Sequence, residues 1–203
     1  MGRSKSLNIV VCGTGGQGNV LLSRFIARAF VSKGYHVTVG ETFGMSQRGG
    51  DVMSHVRVSR ERSYGPLIPN GQGHVVLSLE PMETIRALAG YGNHEILVIS
   101  NVRPVHPVVC ITGEKDYPNL ERIKQVIKEM SGRCWFLDAT QISLKMGNTI
   151  LTNMVMIGAL AQTGIVNLTK SDIVDVIRET FPDDVAQTNI AALTRGMQAV
   201  ESQ

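Results

Sequence analysis

No run of about 20 uninterrupted apolar residues, the length that a membrane-spanning helix needs, occurs in this chain of 203 residues. The nearest approach, residues 150–165, is interrupted by Thr, Asn and Gln. The apolar run behind the first six residues covers only residues 7–12 and is closed by glycine, so it reads as a buried strand and not as a signal peptide. Cysteine is scarce: Cys12, Cys110 and Cys134 are the three present, and no pair has metal-ligand spacing. An iron–sulfur cluster is ordinarily held by four thiolates, so this chain cannot hold one alone. The odd count suits a reducing cytoplasm, and each cysteine reads as a small buried apolar residue. The five histidines, His36, His55, His74, His94 and His106, are scattered and form no ligand set. His55 reads as a satisfied strand histidine. Charge is also thin, at 18% of residues against the usual quarter. A net charge of +3 without a Lys/Arg run argues against nucleic acid, and the low charged fraction hints at surface covered by a partner.

What the chain has is glycine and apolar residues: 21 glycines, 43% hydrophobic and only 5% aromatic. That balance favours a tightly turned α/β domain over an all-β sandwich. Strands are expected at residues 7–12, 35–39, 74–79, 95–100 and 133–137. Alternation over residues 52–58 predicts a half-exposed strand, and a short strand is expected at 108–111. Spacing of three and four predicts helices at 19–33, 81–89 and 120–130, with Ile123, Val126 and Ile127 inward in the last. Residues 148–162, 171–181 and 185–200 follow as helices, the second capped by Thr169 and its neighbours. The expected architecture is a three-layer Rossmann-like α/β domain with a mostly parallel, mixed sheet. It is read as one domain, with an α/β core over about residues 6–140 and a helical part over about residues 141–203.

Two loops carry the chemistry. Gly13-Thr-Gly-Gly-Gln-Gly18 matches G-x-G-x-x-G between a strand and a helix. In that pattern the first glycine permits the turn, the second lets a pyrophosphate approach, and the third lets the helix pack on the sheet. A glycine turn that packs tightly and binds nothing stays open as an alternative. Glu41, after the second strand, could contact a ribose. The following segment, with Met45-Ser-Gln-Arg-Gly-Gly50, is read as a loop over residues 40–50. Its Arg48 can bind carboxylate or phosphate bidentately, or else brace the loop. The candidate binding residues are therefore Gly13, Gly15, Gly16, Gln17 and Gly18 with Ser46, Gln47 and Arg48. Both loops leave parallel strands at the carboxyl edge of the sheet, so they are expected to border one cleft. No catalytic residue and no metal ligand is assigned.

These two motifs, in this order and spacing, resemble the gamma-type subunit of 2-oxoacid:ferredoxin oxidoreductases. Ser54-His-Val-Arg57, Pro66-Leu-Ile-Pro69, Leu79-Glu-Pro-Met-Glu83 and Asn153-Met-Val-Met-Ile-Gly-Ala-Leu160 extend the resemblance over roughly residues 6–180. Within that group the chain is most similar to the beta subunit of indolepyruvate:ferredoxin oxidoreductase, being short and without a ferredoxin segment. The resemblance implies oxidative decarboxylation of a 2-oxoacid with coenzyme A and ferredoxin. It implies thiamine diphosphate, magnesium and 4Fe-4S clusters on a larger catalytic partner, with coenzyme A as a co-substrate contacted here. Neither a thiamine motif nor a cluster motif is found in this chain, which is therefore expected to be inactive alone and to self-associate, as a symmetric dimer, without its partner. A gamma subunit acting on pyruvate, 2-oxoglutarate or branched-chain oxoacids, and a stand-alone nucleotide-binding module, stay open as alternatives.

Overall fold

The computed structural model describes residues 6–44 and 50–201. Among them the chain forms strands β1 (Leu7–Thr14), β2 (His36–Phe43), β3 (Asp51–Ser59), β4 (Val75–Ser78), β5 (Leu97–Asn101) and β6 (Arg133–Leu137). The helices are α1 (Asn19–Ser32), α2 (Pro81–Tyr91), α3 (Val108–Ile111), α4 (Leu120–Glu129), α5 (Ala139–Lys145), α6 (Thr152–Gln162), α7 (Lys170–Thr180) and α8 (Asp183–Glu201). One sheet runs in the order β2-β3-β1-β4-β5-β6. The β1-β4-β5-β6 neighbours pair in parallel, and β3 is antiparallel to both β1 and β2. The expected mixed, mostly parallel α/β sheet is present.

Successive strand residues face opposite layers. Ile9, Val11, Val75, Leu77 and Ile99 face the larger core, shared with α1, α6, α7 and α8; Val10, Cys12, Val76 and Val98 face the smaller one, under α2 and α4. In α4, Ile123 and Ile127 are buried as expected, while Val126 is only half-buried. Thr169 and Asp172 form the reciprocal cap at the start of α7, a device that contributes about 1 kcal/mol.

Three expectations need correction. β2 does run in the direction of β1, but β3 stands between them. The residues from Gly40 to Phe43, expected in a loop, are strand, because β2 and β3 pair without a break from His36↔Ser59 to Phe43↔Val52. Second, β3 is not half-exposed, since residues Ser54 to Ser59 are all buried. One face lies under α1. The other carries His55 and Arg57 and is roofed by the irregular segment 60–73. Arg57 donates to the carbonyls of Gly65 (3.0 Å) and Leu67 (3.1 Å) and to Asn8 Oδ1 (3.2 Å), and lies over the Tyr64 ring. Polar alternation here marks a buried hydrogen-bonded layer and not a wet face. His55 is buried edge-on to Tyr91 with both ring nitrogens unpartnered, and burial, then Arg57, holds it below its usual range. It is thus a neutral core histidine, though not a hydrogen-bonded one. Third, residues 108–111 form the short helix α3 behind Pro107, not a strand.

The helix α5 was not anticipated. Its start is fixed by Asp138, whose carboxylate accepts from the Gln141 N–H at 2.8 Å, and by Asn101 at the end of β5, whose Oδ1 accepts from the Ala139 N–H at 3.0 Å. α6 is buried along Asn153–Leu160, as its apolar composition requires. It crosses α8 at two glycines. A Cβ on Gly158 would overlap the Leu193 carbonyl oxygen, and one on Gly196 would overlap that of Val155. The two backbones touch, and no side chain fits between them.

Candidate functional site

The turn after β1 is built largely by its own side chains. Gln17 folds inward: its Oε1 accepts from the Thr14 N–H at 2.7 Å, and its Nε2 donates to the Leu79 carbonyl just beyond β4 at 3.1 Å. Asn19 donates to the Thr14 carbonyl at 3.2 Å. Gly13 is the penultimate residue of β1, and a Cβ there would stand 2.7 Å from both Gln17 Oε1 and Asn19 Oδ1. Gly16 and Gly18 take φ of 98° and 85°, the left-handed region that favours glycine. Gly18 caps α1 without any side-chain bond, so among the described residues no side chain answers the first N–H groups of α1.

The third glycine of the pattern therefore does something other than expected. A Cβ on Gly18 would stand 2.5 Å from Asn153 Nδ2, so this glycine admits α6 rather than the sheet. Asn153 is 5% exposed, donates to the Gly18 carbonyl at 3.5 Å, and leaves its own Oδ1 without a partner. α6 runs on directly from a 3-10 turn over Thr149–Leu151, which Asn148 caps by accepting from the Ile150 N–H at 3.0 Å. Between the two helix starts lies a cleft of about 340 Å³. Gly16, Gln17, Gly18 and Leu21 form one wall, Leu79 the floor, and Thr140, Thr149, Ile150, Thr152 and Asn153 the other wall. None of these described residues is ionisable. The N-terminus of α1, uncapped by any side chain of the described residues, makes such a place favourable for an anionic group. Because α1 and α2 leave toward opposite faces of the sheet, the cleft lies at a topological switch point, where open α/β sheets bind ligands.

Of the candidate binding residues, Gly15, Gly16, Gln17 and Gly18 form the turn, and Gly13 lies beneath it. Ser46, Gln47 and Arg48 lie outside the described residues. Gly50, which follows them, meets the turn, its carbonyl accepting from the Gly15 N–H at 2.9 Å, while the Gly44 N–H donates to the Asp51 carbonyl at 2.8 Å and joins the ends of β2 and β3. Glu41 lies within β2 and faces Arg24 of α1 at 3.8 Å. In a dinucleotide site its strand would adjoin β1, a place β3 occupies here.

Sequence reasoning missed the wall formed by α5 and α6, because nothing local marks Thr140 or Thr152 as neighbours of a turn more than 120 residues earlier. Asn153 was part of a noted motif, but its contact with Gly18 was not foreseen. A second cleft of about 270 Å³, lined by Thr14, Gly50, Asp51, Glu80, Glu83 and Arg86 among others, opens at the same edge on the α2 side. It too went unnoticed, since Glu80 and Glu83 were noted only as members of a motif. Beside it, burial pushes the Cys12 thiol up to about 12, so it stays protonated.

The chain matches the family model described as pyruvate ferredoxin/flavodoxin oxidoreductase over residues 8–199. It is 38% identical to the indolepyruvate oxidoreductase subunit IorB of Pyrococcus horikoshii over 198 residues, 97% of each chain. It is 26% identical to the pyruvate/ketoisovalerate oxidoreductases common subunit gamma of Thermococcus kodakarensis, over 89% of each chain. A structure of 2-oxoglutarate:ferredoxin oxidoreductase from Magnetococcus marinus, with 2-oxoglutarate, coenzyme A and succinyl-CoA bound, has the same fold. The TM-score is 0.75 at 21% identity, over 99% of this chain and 32% of that one. The chain belongs to the pyruvate ferredoxin/flavodoxin oxidoreductase family.

Proposed function

We propose that the chain is the small subunit of a 2-oxoacid:ferredoxin oxidoreductase of the indolepyruvate type. The observation that carries this is the 38% identity, across nearly the whole of both chains, to an indolepyruvate subunit, against 26% to a pyruvate/ketoisovalerate one. In the proposed reaction an aryl pyruvate, coenzyme A and two oxidised ferredoxins give the acyl-CoA, carbon dioxide, a proton and two reduced ferredoxins. Thiamine diphosphate, magnesium and the 4Fe-4S clusters are assigned to a larger partner chain. The residues of this chain do not fit a cluster. The chain has three cysteines, one fewer than the four thiolates a cluster ordinarily uses, and among the described residues no three His, Cys, Asp or Glu side chains are grouped to hold a metal.

Coenzyme A does fit the first cleft. The uncapped start of α1 would favour its phosphates. Gly16, where an added Cβ would meet nothing within 4 Å, lets the backbone come close, Gly13, Gln17 and Gly18 hold the turn in shape, and Gly15, Ser46, Gln47 and Arg48 are proposed as further contacts to the ligand. Alone, the chain is expected to self-associate through its exposed apolar residues, a reading that light scattering tests.

The reading is tested by colour. Purified without oxygen, the isolated chain should lack the broad absorbance near about 400 nm that iron–sulfur ligation gives, and should be inactive with every 2-oxoacid. The complex purified after co-expression with the large chain should be brown. A stoichiometric cluster on the isolated chain would overturn the assignment.

A further inference from the structure

The second cleft has a floor and a rim of opposite character. On the floor, Glu80 is fully engaged: its carboxylate accepts from the Glu83 N–H, the Val105 N–H and the Tyr117 hydroxyl. Glu83 is not. It is 4% exposed, its Oε1 accepts from Arg86 at 3.0 Å, and its Oε2 is buried without a partner. A buried carboxylate oxygen without a donor is destabilising until something supplies one. The cleft's own cations do not: Arg86 is committed to Oε1, and Lys115 makes no bond to Oε2. The rim is apolar, from Val105, Pro107 and Val109, and beside it Val108 and Ile111 stand 69% and 73% exposed.

An acidic floor beneath an apolar rim complements a charge carried on an alkyl stem. A lysine or arginine side chain buries its methylenes along apolar surface and ends in donors. We propose that this cleft is the socket for a basic side chain of the larger partner chain, whose ammonium or guanidinium group bonds Glu83 Oε2. The proposal rests on reading the protein as one subunit of a larger enzyme. Its place suits that role, because Gly50 both lines the cleft and bonds Gly15 of the glycine turn. A side chain seated here would brace Gly50 and, through it, the glycine turn.

The groups facing Glu83 set the pH range. Arg86 and Glu80 face it from α2 and its cap, Asp51 from β3, and Cys12 from β1. Tyr117, Lys115 and Asp116 reach the cleft from the segment after α3. Burial first of all holds the Glu83 carboxyl up at about 7, with Arg86 opposing and Glu80 and Asp51 adding to it. In the isolated chain, the stability this proton contributes is complete below the ordinary carboxyl range and is lost as pH rises through about 7. A seated cation favours the ionised form, so association with the partner should strengthen over the same range.

Two measurements test this. In the full chain labelled with carbon-13 at the glutamate carboxyls, Glu83 is identified by the resonance that Glu83→Gln removes. Saturating n-butylguanidinium should lower the Glu83 midpoint by about one unit, as an adjacent opposite charge does. No displacement would overturn the proposal. The binding constant for the large chain should rise about fivefold from pH 6 to pH 8, the part of the tenfold limit of a one-unit displacement that falls within that window. Glu83→Gln should stay near the weaker value throughout, and Glu83→Asp should restore part of the rise. A Glu83→Gln chain that keeps the wild-type profile would overturn the socket while leaving the subunit reading intact. Failure of the large chain to bind wild type at either pH would overturn both.

Discussion

Gly196→Ala is expected to lower the melting temperature of the isolated chain by roughly 6–12 °C, and Gly196→Val to prevent folding. At this point α6 and α8 are in backbone contact, and a Cβ on Gly196 would overlap the Val155 carbonyl oxygen. Backbone cannot swing aside as a side chain can, so the two helices must separate along the Asn153–Leu160 stretch that fills the larger core. Overpacking of this kind costs about 3 kcal/mol, and in a domain of this size each kcal/mol moves the midpoint by about 2–4 °C. Gly158→Ala should act alike, through Leu193. Gly90 provides the contrasting sign. It sits in α2 with nothing within 4 Å of an added Cβ and no left-handed φ, so Gly90→Ala should stabilise by about 0.5–1 kcal/mol. Thermal unfolding by circular dichroism measures all three. A Gly196→Ala chain that melts like wild type would show that the helices are not so close.

Arg48→Ala should reduce kcat/KM of the assembled enzyme for coenzyme A by roughly 10- to 100-fold, while moving the melting temperature of the chain by less than about 2 °C. A charge-assisted hydrogen bond contributes about 1.5–3 kcal/mol, and about 1.4 kcal/mol is tenfold in rate. Gly18→Ala should harm both quantities. Its left-handed φ disfavours a side chain, and the new Cβ would press on Asn153 Nδ2. Steady-state kinetics of the complex, beside unfolding of the isolated chains, separate the two. An Arg48→Ala enzyme with wild-type kcat/KM would remove Arg48 from the site.

The sequence made the layers legible and left their order obscure. Apolar runs located β1, β4 and β5 because parallel strands buried on both faces read as continuous hydrophobic stretches, and β6, partly exposed at the edge of the sheet, by its short apolar run. β3 misled because its polar residues answer to a loop, not to water. Nothing in residues 52–58 announces that Gly65 and Leu67 will offer carbonyls to Arg57. The insertion of β3 beside β1 was hidden for a related reason, since pairing partners are chosen across the chain. In the site, the glycine pattern gave the correct turn but the wrong neighbour for Gly18, which meets Asn153, 135 residues further along the chain. Glu80 and Glu83 were visible only as members of a motif. Their burial depends on Tyr117 and Val105, which reach them from a segment without regular structure.

The most direct test of the subunit assignment is a substrate profile. The chain is purified without oxygen together with its large partner, and coenzyme A-dependent reduction of ferredoxin is measured with indolepyruvate, pyruvate, 2-oxoglutarate and a branched-chain oxoacid. The account predicts activity only when both chains are present, with the highest kcat/KM for indolepyruvate. A complex that prefers pyruvate, or a large chain fully active without this one, would contradict it.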